Sequence, residues 1–156
     1  SIELGIVEIL RSGVYNYIDR ERPGITPEEV QVVQRQAFTA DYFITGTNAI
    51  TEKGELFNID GNGNRVAAIS YGPKEVIVIA GSNKIVRDTE EARKRVKEIS
   101  APANAMRLDC NTPCTIDGIC RNCASEKRIC CTEVLTGYQR IKNRIKVIIV
   151  DGDFGF

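Results

Sequence analysis

At 156 residues, with 42% hydrophobic and 27% charged side chains, the chain is long enough for one globular domain whose core needs no disulfide staples. Its 21 basic groups balance 21 acidic ones, which removes the basic footprint expected of a nucleic-acid binder. No apolar run reaches the length of a membrane span, and SIELGIVEIL lacks the basic start and cleavage site of a secretory signal, so a cytoplasmic protein is expected.

The opening IELGIVEILRS (2–12) sets Ile2, Ile6, Ile9 and Leu10 on one side of an amphipathic helix, with Ser1 as a cap and Gly13 as its end. A polar loop broken by Pro23 and Gly24 leads to Pro27, which starts a second helix running to about Ala40. DYFITG (41–46) is the first strand. ELFNI (55–59) follows the turn pair Lys53 and Gly54, so the two form either a hairpin or a short excursion off the sheet. A Gly/Asn loop then enters a short helix from about Asn64 to Tyr71. KEVIVIAG (74–81) is nearly all apolar and β-branched, as a strand covered on both faces should be. Asp88 to Ile99 reads as a charged amphipathic helix extending through APANAMRL, and the VIIV of RIKVIIVDGDFGF is a second buried-strand signal. Strands with helices between them predict an α/β fold with a mostly parallel sheet flanked by helices.

Three polar turns follow the predicted strands. TGTNAIT (45–51) supplies Thr45, Gly46, Thr47 and Asn48 at a strand's carboxyl end, where open α/β sheets place their ligands. NIDGNGNRV (58–66) sends Gly61 and Gly63 into a helix start, whose unpaired N–H groups and dipole suit an anion. There Asn64 is expected to cap the helix, Arg65 to clamp a carboxylate or phosphate, and Asp60 to serve as a general base. GSNKIV (81–86) adds Asn83 and Lys84, the latter a point charge for an anion or, if desolvated, an amine nucleophile. The same residue types also serve ordinary turns. A calcium loop starting at Asp60 is excluded, since its sixth position is Arg65 and its twelfth is Tyr71.

All six cysteines lie in CNTPCTIDGICRNCASEKRICC (110–131), and the chain has no histidine. Cys120 and Cys123 form a Cys-x-x-Cys turn that can reach one metal, and Cys114 and Cys130 complete a four-thiolate set. If Cys130 and Cys131 open a strand, their side chains point oppositely and one of them ligates. Zinc and a 4Fe–4S cluster both accept four thiolates, and spacing does not separate them. Disulfides and unmetalled thiols are the competing readings; without histidine a catalytic thiolate lacks its usual activator.

The run ADYFITGTNAITEKGELFNIDGNGNRVAAISYGPKEVIVIAGSNKIV (40–86), continued by APANAMRL, TPC, GICRNC, RICC and the terminal VDGDFGF, resembles the lactate-utilisation (LUD) domain family over nearly the whole chain. The resemblance implies one domain with a NagB/RpiA/CoA-transferase-like fold, while the cysteine-rich insertion at about 109–131 varies within the family, so its metal does not follow from the resemblance. It implies a place among proteins of bacterial lactate oxidation to pyruvate, whose related subunits carry iron–sulfur clusters. Such proteins usually have an earlier strand and a Gly/Ser loop before the helix matching LGIVEIL, so an N-terminal segment is expected to be missing ahead of Ser1.

Three functional readings follow. The first is an accessory or subunit of lactate oxidation that binds a small anionic metabolite and meets iron–sulfur redox subunits, without a complete catalytic set. The second is a stand-alone isomerase or transferase acting on a phosphorylated or acyl metabolite, with Arg65 and Lys84 as anion ligands and Asp60 as base. The third is a metal-stabilised interaction domain. A homo-oligomer is compatible with each.

Overall fold

The computed structural model describes residues 4–156. The expected cap at Ser1 and the first apolar residue, Ile2, lie outside the described residues. Helix α1 covers Ile6–Leu10 and starts at Gly5, whose φ of 67° suits glycine. Helix α2, Pro27–Gln36, opens on a capping box in which Thr26 accepts from the Glu29 amide and Glu29 from the Thr26 amide. Residues 37–39 carry it on as one tighter turn.

Two sheets follow. The first is parallel, in the order β1 (Tyr42–Thr45), β4 (Glu75–Gly81), β7 (Ile145–Val150). The second has the order β5 (Ile85–Val86), β2 (Ala49–Thr51), β3 (Leu56–Asp60), β6 (Thr132–Thr136) and is mixed: β2 runs parallel to β5, while β3 is antiparallel to β2 and β6. The hairpin around Lys53 and Gly54 therefore pairs 56–60 with 49–51, not with the 41–46 strand, which belongs to the other sheet. Ala49, Ile50 and Thr51 are buried and sit in a segment whose polar neighbours read as a turn.

The β2–β3 hairpin is packed on both faces, because successive strand residues point oppositely. Phe57 joins Ala49, Val86, Ala92, Val96 and Ala101 on one side. Leu56 joins Ile50, Ile69, Val76, Val78 and Ala80 on the other. Helix α3 (Asn64–Ser70) supplies Ile69.

The long helix expected from Asp88 forms as α4 (Thr89–Arg95) and α5 (Ala101–Arg107), joined by a π turn over 96–100. Asp88 caps it through the Glu91 amide at 2.9 Å. Pro102 has no N–H to give the preceding turn, which is where the widened turn absorbs the mismatch. A short helix α6, Cys114–Asp117, lies within the cysteine window.

The expectation for VIIV needs correction. β7 is a strand, but Val147, Ile148 and Ile149 are 41%, 49% and 49% exposed. It stands at the edge of its sheet, so an apolar run that reads as covered is only half covered among the described residues. No helix among them is long and apolar enough to cross a membrane.

Candidate functional site

The three polar turns meet, and Arg65 is what joins two of them. From the second residue of α3 its Nη1 donates to Gly46 O at 3.3 Å and Asn58 Oδ1 at 2.5 Å, and its Nη2 donates to Asn48 Oδ1 at 3.0 Å and Ile59 O at 2.8 Å. Four N–H groups are thereby committed to the protein's own oxygens. Burial lowers its pKa, opposed by Asp60, with Arg20 acting in the same direction as burial. A planar fork with fixed donors can bridge two turns in this way; a lysine cannot.

Asp60 takes the place expected of Asn64. Its Oδ2 accepts from the amides of Arg65 at 3.0 Å and Val66 at 3.4 Å, so the carboxylate of β3 itself meets the first turn of α3. The helix cap is Gly63, with φ 76° and no side-chain bond, and Asn64 is already helical. The reason is geometric: the Asp60–Gly63 turn curls far enough to bring its own carboxylate under the amides. Asp60 Oδ1 also stands 4.0 Å from Arg65 Nε.

The third turn is tied in by Arg95, which is 8% exposed. It donates to Asn83 O at 3.2 Å, Asn48 O at 2.8 Å and Ser100 Oγ at 2.8 Å. Burial lowers its pKa. Thr47 donates to Ala49 O and Phe57 O, and the Thr45 hydroxyl bonds Gly46 O. Lys84 is buried in a single turn after β4, with the chain's end folded over it: a Cβ on Gly155 would lie 3.2 Å from its Nζ, and Asn83 Nδ2 donates to Gly155 O.

Sequence reasoning missed Asn58 and Arg95. Their signals were present: Asn58 is a polar residue inside an apolar strand, and Arg95 shares a helix face with Ala92. Asn58 Nδ2 is buried without a partner among the described residues, whereas its Oδ1 accepts from Arg65 and from the Asn48 amide.

Gly81 sets how closely the C-terminal segment approaches. A Cβ there would stand 2.6 Å from Gly152 O and 2.7 Å from Phe154 N, both backbone atoms that cannot swing away. Gly81→Ala is expected to cost about 1–3 kcal/mol and to speed proteolysis of residues 151–156. An unchanged melting temperature with unchanged cleavage would show that the segment is not seated as described.

The cysteine window leaves α5 and returns as β6. Cys114, Cys120, Cys123 and Cys130 line one cavity of about 20 Å3 together with Ala101, Ala105, Pro113 and Ile129. All six thiols are free, and among the described residues no group of three or more His, Cys, Asp or Glu side chains is arranged to hold an ion. Arg128 donates to Cys123 O and Cys130 O, both at 2.7 Å, and to Cys130 Sγ at 3.5 Å. Arg121 is held by Asp117, whose carboxyl that hydrogen bond pulls down to about 2. The window's end packs on the polar turn: a Cβ on Gly61 would lie 3.4 Å from Ile129, and the Cys131 amide donates to Asp60 O.

Comparison with solved structures finds a DUF162 family protein from Deinococcus radiodurans, 17% identical, covering 95% of this chain and 80% of that one, with a TM-score of 0.40. Comparison with curated proteins finds no match. The LUD domain family model matches residues 2–150, which is nearly the whole chain, and the protein therefore belongs to the LUD domain family.

Proposed function

We propose that this LUD-domain protein is an accessory or subunit of lactate utilisation, the oxidation of lactate to pyruvate. In this reading it holds a small anionic metabolite beside iron–sulfur redox subunits and lacks a full catalytic set of its own. Its fold then belongs with the NagB/RpiA/CoA-transferase-like group.

The observation that supports the anion is the charge of the polar centre. Arg65 and Arg95 are both withdrawn from solvent, Asp60 stands 4.0 Å from Arg65, and Arg95 donates to three neutral oxygens. Two fixed cations beside one carboxylate give a positive field that gathers small carboxylates such as lactate or pyruvate. The bonds of Asp60 to two amides favour a positioning role over proton transfer, which is why a stand-alone isomerase or transferase ranks second.

The test is genetic and then calorimetric. Deleting the gene is expected to abolish growth on lactate while growth on another carbon source is kept, with recovery on complementation. The purified protein should bind lactate or pyruvate, more weakly as salt is raised. Normal growth of the deletion strain on lactate would end the proposal.

A further inference from the structure

We infer that Cys114, Cys120, Cys123 and Cys130 form a four-thiolate site for a single zinc-class ion, with Arg128 as a donor that orients it and offsets part of its charge. The inference is independent of the lactate reading.

Three observations carry it. The first is selection: of six cysteines, four line the same cavity, and Cys110 and Cys131 do not. Cys131 is exposed and its Sγ faces Arg128 O, while its amide extends the β3–β6 ladder to Asp60. The second is the lining. Beside the four thiols stand the apolar Ala101, Ala105, Pro113 and Ile129, and the polar groups there are the Thr112 hydroxyl and the guanidiniums of Arg121 and Arg128, so the sulfurs meet donors and cations in a largely apolar wall.

The third is the surrounding of donors. Thiolate ligands are oriented by hydrogen bonds from outside the coordination sphere. Here Arg128 reaches Cys130 Sγ at 3.5 Å, and Thr112 Oγ1 shares a hydrogen bond with Cys114 Sγ at 3.4 Å. Arg128 Nε is buried and has no partner among the described residues, although Nη1 and Nη2 are bonded to the backbone of Cys123 and Cys130. A guanidinium fixed in this way offsets part of the net double negative charge of a divalent ion with four thiolates. Binding deprotonates the four thiols, and the protons leave to solvent.

The sulfurs have to close on the ion, since no ready-made ion group is present among the described residues. The segment is suited to closing: past α6 it runs from residue 118 to 131 without helix or strand. Cys130 already packs against the Phe57 core cluster, so one ligand is anchored and the others are drawn to it. Closure would clasp the window against Gly61 and thereby against the Asp60 turn.

The experiment uses the whole chain, purified without added metal. Elemental analysis is expected to find about one zinc per chain, and cobalt replacement to give a tetrahedral spectrum with thiolate charge transfer. In the zinc form a thiol reagent should titrate two of the six cysteines, and all six after chelation. Cys120→Ser and Cys123→Ser should lose the cobalt spectrum, whereas Cys110→Ser and Cys131→Ser keep it. Arg128→Gln should weaken zinc binding about 10- to 100-fold against a competing chelator, with partial recovery in Arg128→Lys. Six reactive thiols in the zinc-treated wild type would overturn the inference whether or not the serine variants fold. Iron with inorganic sulfide, or loss of the spectrum in Cys131→Ser, would overturn it equally.

Discussion

Arg65→Met is expected to lower the stability of the protein by about 3–5 kcal/mol, the cost of removing one partner from a buried charged network. The substitution keeps much of the stem volume, so what is lost is the guanidinium. Four oxygens then lose a donor: Gly46 O, Ile59 O, Asn58 Oδ1 and Asn48 Oδ1, the last two keeping only the amides of Asn48 and Ile59. Asp60 keeps its two amides but loses the nearby positive charge. Arg65→Lys should recover little, because a point charge on a flexible stem cannot reach both turns at once. Urea unfolding followed by circular dichroism reads the effect. A loss below about 1 kcal/mol would mean that the bonds seen around Arg65 do not hold the turns together. The same variant is expected to abolish lactate or pyruvate binding, if those anions answer the field of the polar centre.

The second large effect is expected at Arg144, which is 6% exposed and lies just ahead of β7. It donates to Ile69 O at 2.7 Å, Ala68 O at 3.1 Å and Pro73 O at 3.1 Å. Two of these carbonyls belong to the last turn of α3, where unpaired acceptors and the negative end of the dipole both favour a cation. Its own carbonyl accepts from the Val76 amide at 2.7 Å, which starts the β4–β7 ladder. Arg144→Met should cost about 3–5 kcal/mol and lower the melting temperature on the order of 10 °C. Because the residue shares no hydrogen-bond partner with Arg65 or Arg95, anion affinity at low temperature should be unchanged. A variant that melts as the wild type does would remove Arg144 as the tie between α3 and the edge strand.

These two arginines show where residue patterns are silent. Arg144 looks like an ordinary charged residue of a loop, and Arg65 was expected to clamp a ligand anion where it binds the protein's own oxygens; nothing in their neighbours marks either as buried. Their role depends on carbonyls contributed by segments distant in the chain, which only the fold brings within reach. Arg95 is the intermediate case, since its helix face already pointed inward. Lys84 shows the same limit: its burial follows from the chain's last residues lying over the Gly81 turn, a contact that no local pattern encodes.

The residue order by itself determined the identity and sequence of most elements, because periodicity of apolar residues decides helix or strand locally. α2, β1, β3, α3, β4 and the helix from Asp88 were all legible in this way; of the two glycines expected at positive φ in the Asp60 turn, Gly63 adopts it and Gly61 does not. The tertiary structure alone decided that the strands divide between two sheets, that VIIV lies at an exposed edge, and that Ala49–Thr51 is a buried strand. It also decided which oxygens occupy Arg65, whereas the four cysteines that share a cavity are the set their spacing already singled out. The physical reason is that a strand's partner and a charged group's solvation are properties of what lies across from it. Spacing along the chain carries no record of that.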